Sequence, residues 1–263
     1  MRVIWKIWRN VCMDDVYFTV RYGVTGAFMV IHERDYLQSA ILSTGVYEPE
    51  IWEKISQHTQ RGDIFWDIGA NIGAFSVMAS VDPRFSEIHA FEPQARILAQ
   101  LHRNIILNYN SKTKIHEFAL SDHNGECKLF ISPATNTGAT SLRYQTEVNQ
   151  RSALVKCFMI DELIAEDIAP NPTIMKIDVE GWELEILRGG QKLLSGSPPR
   201  LIVFECGIDV HTRLPESLEI LSLLTNYGYT VEHIPRRDGS FFESTENFAA
   251  ILNPQADNSF IDN

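Results

Sequence analysis

The sequence predicts an α/β protein built on a doubly wound, mostly parallel sheet, with an N-terminal cap made of a β-hairpin and helices. From Asp63 onward, short apolar runs alternate with amphipathic segments of helical periodicity, which is the pattern of strands connected by helices. The apolar runs are continuous, as expected for strands that helices cover on both faces. The last helical segment is followed by two strands, which allows an antiparallel end of the sheet.

The first sixty residues predict the cap. Residues Val16–Glu33 alternate between apolar and polar side chains and contain glycines, which favours a β-hairpin. Helices are expected over Asp35–Ser43 and Tyr47–Gln60, and the second of these has proline and acidic residues in its first turn. We therefore expect residues 1–60 to be a cap that forms one unit with a domain over residues 61–263.

The domain itself is predicted as alternating strands and helices. Its clearest helix is Gln94–Tyr109, where apolar residues recur on one face and where Asn104 and Asn108 are expected to face solvent or to cap the helix. The turn Asp122–Gly125 is expected to join two strands as a hairpin. Strands are predicted at residues 63–69, 87–93, 112–121, 126–132, 154–160, 173–179, 200–207, 229–234 and 247–252, further helices at 72–81, 181–189 and 216–226, and a loop at 136–150.

Charge and composition exclude several classes of protein. The chain has 263 residues, with 23 Lys and Arg against 34 Asp and Glu, so the formal net charge is −11. No nucleic-acid partner is expected, because such binding depends on basic side chains that neutralise phosphates. Hydrophobic residues make up 44%, which is typical of a folded rather than a disordered protein. No apolar run approaches the ~18 residues of a membrane span, and the N-terminus lacks the cleavage site of a signal peptide.

Cysteine spacing bears on metal binding and on the cellular compartment. The four cysteines are far apart in sequence and form no Cys-x-x-Cys pair. This spacing predicts neither a zinc site nor a disulfide framework, and it favours a reducing compartment. We therefore expect a cytoplasmic protein without a bound metal.

Three motifs carry polar side chains to one edge of the predicted sheet. The first has Asp67 at a strand end, followed by Gly69, Asn71 and Gly73. Ligands of open α/β sheets bind outside the carboxyl ends of the strands, where glycine lets the backbone approach them. The spacing Gly-x-x-x-Gly differs from the Gly-x-Gly-x-x-Gly of a pyrophosphate cradle. An acid at the strand end also suits a cation better than a phosphate.

The other two motifs follow later strands. Glu92 comes at the end of the next strand, and its two carboxylate oxygens can accept both hydroxyl groups of a ribose. Asp178 ends the strand of the segment MKIDVEGWE and is expected in the same crevice. Glu183 in that segment is expected to favour the start of the next helix instead.

The sequence resembles class I S-adenosylmethionine-dependent methyltransferases of the FkbM type in three motifs, DIGANIG, AFEP and KIDVEGWELEILRGG, which occur in that family's order and spacing. The segments ALSDHNG and GVYEPEIWE are similar to its flanking segments, so the resemblance runs from about Gly45 to Gly190. It implies a Rossmann-like class I methyltransferase fold and S-adenosylmethionine as cofactor. It also implies O-methylation of a small molecule, sugar or glycolipid.

The resemblance further implies roles for individual residues. Asp67 would attract the ammonium group of the cofactor, directly or through water, and Glu92 would hold the ribose. Asp122 would accept from the amino group of adenine, although an ordinary hairpin turn explains this residue equally well. The remaining cofactor-binding residues implied are Gly69, Asn71, Gly73 and Asp178 near the methionine end, Tyr47 and Glu48 closing over that end, and Ala119 and Leu120 beside adenine.

A hydroxyl acceptor loses a proton during methylation, so a general base is expected. Asp178 is the first choice by position, and Glu205, which ends a later strand at the same edge, is the second. Glu180 is a base or a residue of the helix start, and His211 is a base or an incidental loop residue. The hydroxyl-rich loop Ser132–Arg143 either binds the acceptor or is a solvated connection.

Other functions remain open from the sequence. An N-methyltransferase would need no strong base, since an amine has its own lone pair. A nucleotide-binding module without catalysis would carry the same motifs. An NAD-dependent oxidoreductase is disfavoured by the missing Gly-x-Gly-x-x-Gly and by the lack of a Tyr-x-x-x-Lys pair. The oligomeric state is not indicated.

Overall fold

The apolar runs form strands and the amphipathic segments form helices, in the predicted order. The structure is a computed structural model and describes residues 17–23, 26–109, 111–132, 137–143, 151–209, 211, 214–237 and 245–254. The strands are β1 (Tyr17–Tyr22), β2 (Ala27–His32), β3 (Asp63–Ile68), β4 (Phe85–Phe91), β5 (Thr113–His116), β6 (Ala119–Leu120), β7 (Gly125–Ile131), β8 (Arg151–Phe158), β9 (Ile174–Ile177), β10 (Leu201–Gly207), β11 (Tyr229–Ile234) and β12 (Thr245–Leu252). The helices are α1 (Tyr36–Thr44), α2 (Pro49–His58), α3 (Ala74–Val81), α4 (Ala95–Leu107), α5 (Ile160–Ala165), α6 (Glu183–Arg188), α7 (Gln191–Gly196) and α8 (Leu218–Asn226), with a 3₁₀ turn at Thr137–Ala139.

Among the described residues, the large sheet has seven strands in the order β11-β12-β10-β9-β3-β4-β5. The five strands from β10 to β5 are parallel, whereas β12 runs antiparallel between β10 and β11. The prediction of a mostly parallel sheet with an antiparallel end is therefore confirmed. The carboxyl ends of five neighbouring strands meet at one edge.

Both faces of this sheet are covered, which explains the continuous apolar runs. Neighbouring residues of β3 point to opposite faces, and the side chains of Phe65 and Trp66 are both fully buried. Phe65 packs in a core with α2 and α3, and Trp66 packs in a second core with residues of α5 to α8. The hairpin β1–β2 adds Tyr22, Met29 and Ile31 to the first of these cores.

The prediction of a hairpin around Asp122–Gly125 is wrong. The segment predicted as one strand over residues 112–121 divides into β5, which joins the large sheet, and β6, which joins a second sheet of order β6-β8-β7. Strand β6 pairs parallel with β8, and β7 pairs antiparallel with the other edge of β8. The hairpin is replaced because this arrangement supplies hydrogen-bond partners to both edges of β8. The short helices α5 and α7 were not predicted.

The prediction that Asn104 faces solvent is wrong. Its side chain is fully buried. Its Oδ1 accepts from the backbone N–H of Val30 at 2.7 Å, and its Nδ2 donates to the carbonyl oxygen of Ile72 at 2.8 Å. Asn108, the residue that caps α4, makes the same kind of contact to both backbone groups of Phe28. The two asparagines therefore attach the hairpin to the domain.

We expect Asn104→Ala to lower the free energy of unfolding by about 2–3 kcal/mol, because it leaves two buried backbone groups without a partner. Chemical denaturation measures this loss. Ile106→Ala on the same helix is the control, since Ile106 is 70% exposed and its truncation should cost about 0.5 kcal/mol or less. Equal losses of unfolding free energy in the two variants would contradict the role of Asn104 as the partner of two buried backbone groups.

The described part of the chain contains no helix that combines the length and the apolar character needed to cross a bilayer.

Candidate active site

Side chains of graded polarity lie along the carboxyl edge of the large sheet. Glu205 lies near the end of β10, Asp178 follows β9, Gly69 follows β3, Glu92 follows β4, and Phe118 follows β5. Because these strands are neighbours in this order, acidic groups lie at one end of the edge and apolar groups at the other. This is the position at which open α/β sheets bind ligands.

A crevice with about 530 Å³ of open space lies along this edge. Its walls are formed by Ile68, Gly69, Asn71, Phe91, Glu92, Pro93, Gln94, Phe118, Ala119, Leu120, Leu129, Gly138, Thr140, Ser141, Leu142, Asp178, Val179, Trp182 and Ile186. Six residues of the predicted cofactor site are therefore in the wall, and the structure adds aromatic and hydroxyl side chains to them.

The turn between β3 and α3 brings the backbone close to this crevice. Gly69 has a φ of +79°, and a Cβ there would lie 1.9 Å from the carbonyl oxygen of Asp178. Asn71 also has a positive φ, of 50°, and its side-chain Oδ1 is buried without a hydrogen-bond partner among the described residues. Gly73 begins α3, and a Cβ there would lie 2.7 Å from Leu101. Gly73 thus serves helix packing and is not part of the crevice wall.

Asp67 lies beneath the same turn and outside the crevice wall. Its side chain is 1% exposed. One carboxylate oxygen accepts from the backbone N–H of Ser76 at 2.9 Å and from its hydroxyl at 2.6 Å. The other oxygen has no hydrogen-bond partner among the described residues. Burial raises the pKa of Asp67, so an added cation or donor near this oxygen would be stabilising.

Glu92 is held by backbone donors. Its Oε2 accepts from the N–H of Asn71 at 2.9 Å, and its Oε1 accepts from the N–H of Gln94 at 2.8 Å. Burial raises the pKa of Glu92 to about 7, although the two backbone hydrogen bonds oppose this rise. Each oxygen retains a lone pair, so the fixed carboxylate can accept from two further donors.

The apolar end of the crevice was only partly predicted. Ala119 and Leu120 lie in the wall as expected, and Phe118 and Trp182, which sequence reasoning missed, lie with them. The indole of Trp182 donates to the hydroxyl of Ser121 at 3.2 Å. Trp182 directly follows the residues DVEG of the third motif, and this position is the sequence feature that could have identified it as a crevice residue. Phe118 lies between β5 of the large sheet and β6 of the small sheet, and no local sequence pattern indicates that the strand is interrupted there.

Asp122 is not in the crevice wall. Its carboxylate is half-exposed and contacts the ring of His123 at 2.8 Å and the hydroxyl of Ser121 at 3.2 Å.

The loop proposed to bind an acceptor is partly in the wall, through residues 138 and 140–142. The hydroxyl of Ser141 donates to the carbonyl oxygen of Glu180 at 2.7 Å, which fixes this loop over the turn after β9.

Three carboxylates form a cluster at the acidic end of the crevice. Asp178, Glu180 and Glu205 each offer an oxygen, and these oxygens lie within 4.8 Å of one another. We call these three residues the carboxylate cluster. The buried Lys176 donates to Asp178 at 2.9 Å, and its Nζ lies 4.7 Å from the centre of the Phe75 ring. Carboxylate oxygens of this kind are also ligands of hard divalent cations.

A second ion pair closes the cluster from the side of the cap. Arg236 donates to Glu48 at 3.2 Å and to Glu205 at 3.1 Å. Asn247 also donates to Glu48, and Thr245 to Glu205. Glu48 precedes α2 with a φ of 42°, a conformation that costs free energy in a residue other than glycine. The strain is consistent with a position fixed by its buried contacts.

The remaining predicted residues lie apart from the crevice or at its border. Tyr47 packs edge-on against Phe75, with the ring centres 6.4 Å apart, and neither Tyr47 nor Glu48 is in the wall. His211 is exposed on the loop after β10, where its N–H donates to Asp209, and it is not part of the carboxylate cluster. Glu183 accepts from the N–H groups of Val179 and Gly181, which agrees with its expected role at the helix start.

Burial and mutual repulsion raise the pKa values of Glu180, Glu48 and Glu205. Burial raises the pKa of Glu180 to about 9, with Glu205 and Asp178 adding to the rise. Burial also raises the pKa of Glu48 to about 8 and that of Glu205 to about 7. Burial would lower the pKa of Lys176, but Asp178, Asp67 and Glu48 outweigh it and raise this pKa to about 12. The site therefore contains a fixed ammonium beside carboxyl groups that titrate near neutral pH.

We expect Glu180→Gln to stabilise the protein at pH 8 and to have little effect at pH 4.5. The folded state holds a proton on Glu180 up to pH about 9, whereas the unfolded chain releases it near pH ~4.3. Stability therefore falls as the pH rises through this window, and the neutral glutamine removes that loss. Differential scanning calorimetry should show a melting temperature about 2–4 °C higher for each kcal/mol regained. Glu166→Gln, at an exposed position, is the control and should show no such pH dependence; a Glu180→Gln shift that is the same at both pH values would contradict the expectation.

Comparison with known proteins identifies relatives. The family model described as Methyltransferase FkbM domain matches residues 67–231, well over half of the chain. Hexuronic acid methyltransferase AglP of Haloferax volcanii is 25% identical over 162 residues, which are 62% of this chain and 64% of that protein. The 31-O-demethyl-FK506 methyltransferase FkbM of Streptomyces tacrolimicus is 24% identical over 248 residues, which are 83% of this chain and 91% of that protein.

A solved structure of the same description is also similar. Methyltransferase FkbM from Methylobacillus flagellatus KT aligns with a TM-score of 0.47 and 18% identity, and the alignment covers 73% of this chain and 44% of that one.

Proposed function

The chain belongs to the methyltransferase FkbM domain family and has an α/β fold with a mostly parallel sheet, and on this premise we propose that it transfers the methyl group of S-adenosylmethionine to a hydroxyl group of a small molecule, sugar or glycolipid. The observation that supports the proposal is the change in polarity along the crevice. The crevice offers an apolar aromatic end, a fixed carboxylate in the middle and an acidic end. An adenine, a ribose and a cationic sulfonium with an ammonium group follow one another in that order.

The residues of the crevice fit this cofactor. Phe118 and Trp182 would enclose the adenine, and Glu92 would accept the two ribose hydroxyls. The side-chain oxygens of Asn71 and Asp67 that have no hydrogen-bond partner in the described part of the chain suit the ammonium group. Asp67 would reach this group through water because it lies behind the wall. The cofactor supplies a methyl group already activated by its sulfonium, so the protein mainly provides alignment.

The acceptor would bind at the carboxylate cluster. Asp178 is in the crevice wall and is held by Lys176, so it is the group we assign as general base. Glu180 keeps its proton at neutral pH, and Glu205 is held by Arg236 and Thr245; we assign both to positioning the acceptor. Holding the hydroxyl in a near-attack geometry can account for about 7–11 kcal/mol of the barrier, and a base adds about 10²–10⁴-fold.

We also propose that residues 1–60, of which the structure describes 17–23 and 26–60, act as a cap on the acceptor side. Glu48, which precedes α2 in the cap, is linked to Glu205 through Arg236, so the cap borders the carboxylate cluster. A cytoplasmic location stays a prediction from the cysteine spacing. The preference for oxygen over nitrogen is supported by the relatives, one described as a hexuronic acid methyltransferase and one as a 31-O-demethyl-FK506 methyltransferase.

Two measurements test the proposal. In calorimetry, S-adenosylhomocysteine should bind to the full chain and NAD should not; heat from NAD alone would overturn the cofactor assignment. Labelled S-adenosylmethionine is then incubated with matched pairs of hydroxyl and amine compounds, including sugars and hexuronic acids, and products are identified by mass spectrometry. Label on oxygen supports the proposal. Label on nitrogen alone makes the chain an N-methyltransferase, and cofactor binding without transfer to any compound or to a metabolite extract favours a binding module.

A further inference from the structure

Three side chains of the small sheet and of the turn before it converge on one face of that sheet, next to Ala119. Cys127 lies on β7 and Cys157 on β8. Cys127 is paired with Val155 and Gly125 with Cys157, so the two cysteines are diagonal neighbours on one face of the antiparallel pair. His123 lies in the turn that precedes β7, and its ring reaches over both thiols. We call these three residues the His–Cys site.

The distances in the His–Cys site are those between ligands of one metal ion. The Nε2 of His123 lies 3.7 Å from the Sγ of Cys127 and 3.7 Å from the Sγ of Cys157, and all three ligand atoms lie within 4.8 Å of one another. Zinc binds sulfur at ~2.3 Å and imidazole nitrogen at ~2.0–2.1 Å with tetrahedral angles, which separates the nitrogen and sulfur ligands by about 3.6 Å.

The orientation of the imidazole supports the same assignment. Asp122 contacts the Nδ1 of His123 at 2.8 Å, which favours the tautomer with a proton on Nδ1 and a lone pair on Nε2. A carboxylate that holds the second nitrogen is the usual partner of a metal-binding histidine. One lone pair can accept from only one of the two thiols. A metal ion at the common point would contact all three atoms at once.

Burial leaves one side of the site open. The residues Cys127 and Cys157 are 7% and 0% exposed, and neither forms a disulfide. The side chain of His123, in contrast, is 53% exposed. An ion can therefore enter past the histidine, and a water molecule can occupy a fourth position on that side.

We propose that His123, Cys127 and Cys157 bind a thiophilic transition-metal ion, with Zn²⁺ as the first choice. Sulfur and imidazole ligands select such ions over Mg²⁺ or Ca²⁺. On binding, each thiol releases its proton to solvent as a metal–sulfur bond forms, and the two thiolates neutralise the charge of the ion. This site departs from the expectation of no metal, which considered only local cysteine pairs.

Each cysteine ligand must lose its proton when a metal ion binds, so the affinity for metal should rise with pH. The bound ion would also fix the turn that contains Ser121, whose hydroxyl accepts from the indole of Trp182. The site thus adjoins the supports of the crevice wall without being part of it.

Cobalt substitution tests the proposal on the folded 263-residue chain, independently of any methyl transfer. The purified, reduced chain is stripped with a chelator and titrated with Co²⁺ and then with Zn²⁺. We expect one equivalent of Co²⁺ to give an intense sulfur-to-cobalt charge-transfer band with the visible bands of a tetrahedral site, and one equivalent of Zn²⁺ to remove them. Absence of the charge-transfer band in the unchanged protein would overturn the proposal. The carboxylate cluster cannot imitate this result, because oxygen ligands give no such band.

Variants locate the ligands. Cys127→Ser and Cys157→Ser should each lose the charge-transfer band, and Asp122→Asn, which only orients His123, should weaken Zn²⁺ binding by about 10–100-fold. Cys206→Ser is the matched control, because Cys206 is also a free, buried cysteine but lies on β10 outside the site. A band that persists in both Cys127→Ser and Cys157→Ser, or that disappears in Cys206→Ser, would show that other residues bind the ion.

Discussion

Gly69→Ala is expected to destabilise the protein by about 2–5 kcal/mol, through the combined costs of a left-handed backbone and of overpacking. The new Cβ would lie 1.9 Å from the carbonyl oxygen of Asp178, and that carbonyl belongs to a backbone fixed by the hydrogen bond from the Asp178 N–H to Ile68. Relief requires β3 and β9 to separate at the crevice. We therefore expect a lower free energy of unfolding in denaturant and weaker binding of S-adenosylhomocysteine.

Gly62→Ala separates the two contributions to this loss. Gly62 also has a positive φ, of +93°, but nothing lies within 4 Å of the position its Cβ would take. It therefore carries the backbone cost of about 1–2 kcal/mol without the clash. If the two variants lose the same free energy and both keep their affinity for S-adenosylhomocysteine, the close approach of Asp178 has no energetic role.

The second large effect is on catalysis. Asp178→Asn is expected to lower kcat for a hydroxyl acceptor by about 10²–10⁴-fold, the usual contribution of a positioned base. Binding of S-adenosylhomocysteine should survive, because the asparagine keeps the shape of the side chain and Glu92 is untouched. Calorimetry and initial rates measured across a pH series distinguish the two effects. An amine acceptor should be methylated with a much smaller loss.

Controls distinguish a base from a structural residue. Glu166→Gln removes an exposed carboxylate at the end of α5 and should leave the rate unchanged. Asp178→Glu restores a carboxylate and should recover part of the loss in kcat if proton transfer is its cause. Asp178→Asn rates within a few-fold of the unchanged protein would refute Asp178 as the base and point to Glu205.

The parts of the site that were predicted depend on local sequence. Gly69, Glu92 and Asp178 each follow an apolar run, and the carboxyl end of a parallel strand is visible in the sequence as soon as the run is recognised. Their mutual proximity then follows from the parallel sheet, because neighbouring strands end at the same edge. No knowledge of side-chain packing was needed to place them.

The parts that were missed depend on contacts between distant segments. Phe118 lies in the crevice wall because the strand is interrupted between β5 and β6. The prediction of one continuous strand ending in a hairpin did not include this interruption. Asn104 looks like a polar residue on a helix surface until the hairpin β1–β2 covers it. His123 and Cys157 are 34 residues apart, and only the pairing of β7 with β8 brings them together.

The place of β12 in the sheet has a consequence for synthesis on the ribosome. Within the described residues, β11 reaches the sheet only through β12, although β12 is translated after it. Until Thr245–Leu252 has emerged, β10 presents an open edge of unpaired backbone groups, flanked by side chains that are buried in the finished protein. Open apolar edges invite pairing with other chains. Nascent chains that stall before Thr245 are therefore expected to aggregate or to require a chaperone, and a stop codon at that point should yield insoluble protein even though every strand of the parallel sheet has been made.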